Sequence, residues 1–212
     1  MDANRRILLL GGGGHCRSVL DCLLRMERYE QIGIVERELA TDLTMGAPVV
    51  GTDEDLPRLF TDGWKEAFVT LGSIKSVANR RRLYMKAKEV GFSFPSIIDP
   101  SAVVSPFARV GNGVFVGKNT VINAEAKIGD MAIINTGAII EHGCRIGEFA
   151  HISVGAAVCG DCDISDGVFV GANATVIQGV KIGMNSIIGA GTVVLKNVPI
   201  NQTFVGKRGR AL

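Results

Sequence analysis

From Ile98 to Val194 every sixth residue is Ile or Val, seventeen positions without a break. Four places after each stands a small residue or valine, from Ala102 through Cys144 and Cys162 to Val198. A period of six is neither the two of a flat strand nor the 3.6 of a helix, so the backbone must turn a corner once per repeat. Gly, Asn and Asp recur where such corners fall, as in "VGNG", "IGDM" and "INTG", and these residues tolerate tight turns. Residues 96–200 therefore read as an all-β parallel β-helix of hexapeptides. The "CGDC" run at 159–162 lies inside it. Cys144 and Cys162 occupy the small-residue slot and read as packing residues, not as a redox or zinc half-site.

Residues 1–95 have another character. "RRILLLG" reads as a buried strand, "HCRSVLDCLLRMERY" as an amphipathic helix and "QIGIVE" as a second strand. "DEDLPRLF" follows as a short helix, "EAFVTLG" as a strand, and "KSVANRRRLYMKAKEVG" as a helix ended by Gly91. Strands alternating with helices predict a small α/β domain with a parallel, Rossmann-like sheet. Residues 201–212 remain as a C-terminal tail.

A hydrophobic content of 47% supplies a core, and a formal net charge of +2 gives no electrostatic reason to expect nucleic acid. The apolar run "ILLL" is too short for a signal-peptide core or a membrane span, so a cytoplasmic protein with reduced cysteines and no membrane partner is expected. Two short basic clusters, "NRRR" at 79–82 and "GKRGR" at 206–210, are either solvated faces or anion contacts.

Gly11 to Gly14 fall between the first strand and the first helix, where backbone N–H groups can cradle phosphate. The fingerprint GxGxxG fits at Gly11 and Gly13 but fails at Cys16, which favours a nucleotide other than a dinucleotide. Glu36 ends the second strand, placed to meet a ribose hydroxyl.

A glycine turn "GGGGH" followed by an uninterrupted hexapeptide array containing "NTGAIIEH" and "GEFAHIS" resembles the sugar O-/N-acyltransferases of the hexapeptide acyltransferase family. These include sialic-acid O-acetyltransferases and bacillosamine-type UDP-amino-sugar N-acetyltransferases. The resemblance implies a left-handed β-helix with three hexapeptides per coil, acetyl-CoA as co-substrate, and a homotrimer. It implies that Gly13, Gly14 and His15 bind the nucleotide sugar, with Glu36 contacting the nucleotide. His142 matches the general base, His151 the residue beside the thioester carbonyl, and Asn135 a residue that positions this centre. Ala172 and Ala190 match acetyl-CoA contacts, and Lys207 and Arg208 stand where CoA phosphates could be met. Family members often carry an acid directly after the base, where this chain has Gly143; Glu141 or a residue of another subunit would take that part.

His142 and His151 allow three readings. A zinc site needs three ligands, and the third histidine, His15, lies in the other domain, so no metal is expected. Either histidine alone could be a solvated side chain. As a pair they are nine residues apart, half of an eighteen-residue coil, and point in nearly opposite directions on one prism. They can converge only between neighbouring subunits. Acyl transfer needs a base for the attacking group's proton and donors for an oxyanion. The expected reaction is N-acetylation of a UDP-linked amino sugar. O-acetylation of a sialic acid and a non-catalytic nucleotide-sugar-binding scaffold stand as alternatives.

Overall fold

The computed structural model describes residues 5–36 and 45–206. The N-terminal part runs β1 (Arg6–Leu10), α1 (Gly14–Met26), β2 (Gln31–Val35), β3 (Val49–Gly51), α2 (Leu56–Thr61), β4 (Glu66–Val69) and α3 (Ala78–Val90). The sheet order is β3-β2-β1-β4 with every pairing parallel. Ile7 to Leu10 are wholly buried because α1 covers one face of this sheet and α2 with α3 the other. Gly91 closes α3 at φ 112°, a left-handed conformation that glycine adopts without a Cβ penalty. The short β3 is an element that sequence periodicity did not reveal.

Residues 97–204 form a left-handed parallel β-helix of two-residue strands, each ending on the Ile or Val of the six-residue series or on Phe204. Strands eighteen residues apart pair in register, as Ile133 with His151 and Ile139 with Ala157. Inside, the Ile and Val ladder and the small-residue ladder pack as one core. From Gly113 to Gly191 one residue in every six has φ between 53° and 73°. Gly and Asn fill most of these corner positions, as left-handed geometry favours. Met131 and Phe149 also occupy such corners, and there the side chain is buried against α3, with Tyr84 and Phe149 in ring contact at 5.7 Å. Truncating one rung, as in Ile152→Ala, would cost about 2–5 kcal/mol.

The three faces of the prism differ chemically. One, on Ile97–Ile98, Phe115–Val116, Ile133–Ile134, His151–Ile152, Phe169–Val170 and Ile187–Ile188, is the docked face: Ile97, Phe115 and Ile133 are buried with Cys16, Val19, Leu20 and Leu23 of the N-terminal part. Its last strand is Thr203–Phe204, which pairs with Ile187–Ile188, so the segment expected as a tail begins inside the sheet. Arg25 to Asp99 at 3.1 Å and an ion pair of Lys118 with Asp21 fasten this docking. Arg80 is buried and donates to the carbonyls of Met131 and Phe149. A second face turns Arg109, Lys127, Arg145, Asp163 and Lys181 outward, a charged row suited to water. The third turns out Val103, Val121, Ile139, Ala157, Thr175 and Val193, of which Val103, Ile139 and Val193 are exposed. Among the described residues this apolar face has no partner.

Candidate active site

The predicted residues fall at three places. His142 and Glu141 lie on the corner joining the apolar face to the charged face, between strands Ile139–Ile140 and Arg145–Ile146. His142 is exposed, and its backbone N–H points at Glu141 Oε2 at 3.4 Å. Its ring leans onto the next coil. A Cβ built at Gly160 would stand 2.5 Å from His142 Cε1 and 2.6 Å from Nε2, so glycine in "CGDC" supplies the room the imidazole occupies. Asp161, beside it, brings Oδ1 to 3.9 Å from His142 Nδ1. Sequence reading passed over Asp161, although it lies one coil after Gly143 and the eighteen-residue stack points to it.

Asn135 and His151 meet at the opposite edge of the apolar face, where it joins the docked face. Asn135 Oδ1 accepts from the Thr136 N–H at 2.8 Å, and its Nδ2 lies 3.4 Å from His151 Nε2. His151 Nδ1 is 3.1 Å from the Ser73 carbonyl. A carbonyl can only accept, so Nδ1 carries the proton and Nε2 accepts from Asn135. His151 is therefore neutral here, and the remaining Asn135 N–H is the donor free to face a ligand at this edge. Ala172 and Ala190 lie on the same edge on the following coils. Lys207 and Arg208 lie outside the described residues.

His15 is not at the glycine turn's open side. Its ring stands edge-on to Phe115 at 5.1 Å, in the seam between α1 and the docked face, and its Nε2 is buried with no hydrogen-bond partner among the described residues. Gly13 and Gly14, at the start of α1, are exposed with open space where a Cβ would project. Glu36 accepts from the Gly12 N–H and borders a cleft of about 240 Å³ with Gly11, Asp53, Asn79 and Arg82. Helical spacing puts Asn79 and Arg82 on one side of α3, so the "NRRR" cluster divides. Arg82 faces the cleft and pairs with Asp53 at 3.2 Å, while Arg80 pins the domains together. Of the residues expected to hold a nucleotide sugar, the structure keeps Glu36 at this cleft and takes His15 into the seam.

Burial pushes His15 down to about 3, helped by the positive charge that His151 and Arg80 would share with it. Burial also takes His151 down to about 4, against the opposing effect of the Ser73 carbonyl. Both folded values lie below the unfolded one near 6.5, so both rings are neutral at pH 7 and stability is intact above pH 6.5. As pH falls from 6.5 toward 3–4, the unfolded chain takes up protons that the seam refuses. Each unit of difference corresponds to about 1.4 kcal/mol. Melting temperature is thus expected to drop between pH 6.5 and 4, and to drop less in His15→Phe; an equal drop in that variant would show that the seam histidine plays no part.

Among the described residues no cluster of three or more His, Cys, Asp or Glu can hold a metal ion, and no helix is long and apolar enough to cross a membrane.

A family profile described as the PglD N-terminal domain matches residues 6–87, and one described as bacterial transferase hexapeptide matches residues 161–196. Among solved structures, a histidine-to-asparagine variant of perosamine N-acetyltransferase from Caulobacter crescentus, in complex with CoA and GDP-perosamine, is 38% identical. The match covers 97% of this chain and 95% of that one with a TM-score of 0.89. The chain belongs to the sugar acyltransferases of the hexapeptide family. The acetyltransferase domain of PglB from Neisseria gonorrhoeae, solved with acetyl coenzyme A, is 30% identical over 99% of this acyltransferase and 100% of that domain, with a TM-score of 0.90. WeeI from Acinetobacter baumannii, at 23% identity and a TM-score of 0.83, shares the fold. No curated protein matched the sequence.

Proposed function

We propose that this acyltransferase moves the acetyl group of acetyl-CoA to the amino group of a nucleotide-linked amino sugar, at sites formed between the subunits of a homotrimer. One observation carries the reading: the two halves of a transfer site stand at opposite edges of a single unpartnered apolar face. Packing that face against its copies around a threefold axis brings His142 of one subunit toward Asn135 and His151 of the next. His142 acts as general base. The amine nitrogen bonds to the thioester carbonyl carbon, His142 takes the amine's proton, and the Asn135 N–H faces the oxyanion. The C–S bond then breaks and the CoA thiolate leaves with that proton. Ala172 and Ala190 offer small side chains along the edge on which the thioester arm would lie. The cleft beside Glu36 and Arg82 takes the nucleotide.

Support for N-acetylation over O-acetylation or a scaffold comes from the 38% identical structure, a perosamine N-acetyltransferase with CoA bound. A uridine nucleotide is the acceptor the sequence resemblance implies, and the GDP-perosamine of that neighbour makes a guanosine nucleotide the second candidate. An acceptor panel of UDP-linked amino sugars, GDP-perosamine, and free and CMP-linked sialic acids, with released CoA followed by a thiol reagent, tests this. Thiol release with a nucleotide-linked amino sugar and an amide product by mass spectrometry is expected. Release with sialic acids only would shift the reading to O-acetylation, and calorimetry without acetyl-CoA binding would leave a scaffold.

A further inference from the structure

We infer that Asp161 is the positioning residue for His142, acting from the next coil, and that Gly143 and Gly160 are the clearances that admit the pair. The inference rests on His142 being the base. At Gly143, φ is +67° and the space a Cβ would fill is taken by the Asp161 carboxylate. The same stacking recurs where Asn173 lies against Gly155 and Asn185 against Gly167. The corner geometry is thus satisfied by asparagine. Among described left-handed corners Asn appears at 119, 173, 185 and 201, and aspartate only at 161, against the histidine. The fold alone has no need of a carboxylate there.

The chemistry gives it one. A base works from one nitrogen when the other is held by a third group. Asp161 Oδ1 faces Nδ1 at 3.9 Å, a length that closes to a hydrogen bond when substrate orders the site. The backbone N–H of Asp161 also donates to the His142 carbonyl at 2.9 Å, tying the two corners together. Nδ1 then keeps its proton toward Asp161, and Nε2 receives the proton of the amine. The resulting imidazolium is countered by the carboxylate until Nε2 returns that proton to the CoA thiolate. The other charged groups around this corner are Glu141 on the same turn, Glu125 one coil earlier, and Arg109, Lys127 and Arg145 on the charged face. Arg145 is already paired with Asp163 at 3.1 Å.

The test uses the full-length enzyme with acetyl-CoA and GDP-perosamine, or a UDP-linked amino sugar where that turns over faster. Asp161→Asn keeps the shape and the left-handed corner. It is expected to lower kcat roughly ten- to a hundredfold, less than a buried triad carboxylate because the pair is exposed. KM for both substrates and the melting temperature should hold, so that the loss sits in kcat alone. Gly160→Ala, at a corner position without positive φ, should displace the ring and lower kcat with acetyl-CoA affinity retained. Adding Asp161→Asn to His142→Ala should cost nothing further. Wild-type kcat in Asp161→Asn, with His142→Ala inactive, would overturn the role of Asp161 alone. Near wild-type turnover in His142→Ala would instead remove the base itself, and this inference with it.

Discussion

His142→Ala is expected to lower kcat by ~10²–10⁴-fold, the range in which a positioned general base contributes, while leaving assembly and melting temperature unchanged. The side chain is exposed on a corner, its ring lying over Gly160 with Asp161 beside it, so removing it opens no core cavity. The effect should sit in kcat, since the imidazole meets the amine's proton during transfer and adds little to ground-state affinity. Steady-state kinetics beside a light-scattering mass separates these outcomes. A variant that turns over near the wild-type rate would exclude His142 as base.

Ile139→Arg should have an equally large effect by a different route. Ile139 is 39% exposed at the middle of the apolar row, between Val121 and Ala157. An unpaired charge buried there would cost several kcal/mol per ion, and the proposed assembly should fall apart to monomers in sedimentation. Turnover should vanish with it, because the two half-sites would no longer share a groove. A mixture of His142→Ala and Asn135→Ala subunits makes the complementary case: hybrids contain grooves with both residues intact and should regain activity that neither parent has. A monomeric Ile139→Arg protein with full turnover would contradict intersubunit sites outright.

Much of this was legible in the chain. A strict six-residue series leaves one backbone solution, and it located each strand of the prism from Ile97–Ile98 to Val193–Val194, because burial of a single ladder dictates register. Adding eighteen to a residue number finds its neighbour on the next coil, which stacks His151 on Ile133, two places before Asn135, and sets Asp161 against Gly143. The interdomain seam was not legible in this way. His15 and His151 come within electrostatic reach of each other because Phe115 and Ile133 bury themselves against α1, and docking of two units leaves no period in the sequence. The same holds for Arg80 and Arg82, two residues apart in one basic run yet turned to a carbonyl clamp and to an open cleft. Strand β3 escaped because three residues after a proline carry no periodic signal.

Placing the two half-sites on one coil, at the two ends of one face, has a consequence for how spacing is controlled. Each half-site sits at one end of a flat strand-and-corner segment, Asn135 to His142, whose backbone is bonded to the coils on either side, so in the proposed trimer the spacing of base and thioester edge follows from how these rigid faces pack against one another. No hinge or lid lies within that segment. On the proposed reading, substrate selectivity can therefore drift in the cleft beside Glu36 while the reacting geometry stays put, much as a vice keeps its jaw opening whatever handle is fitted to it.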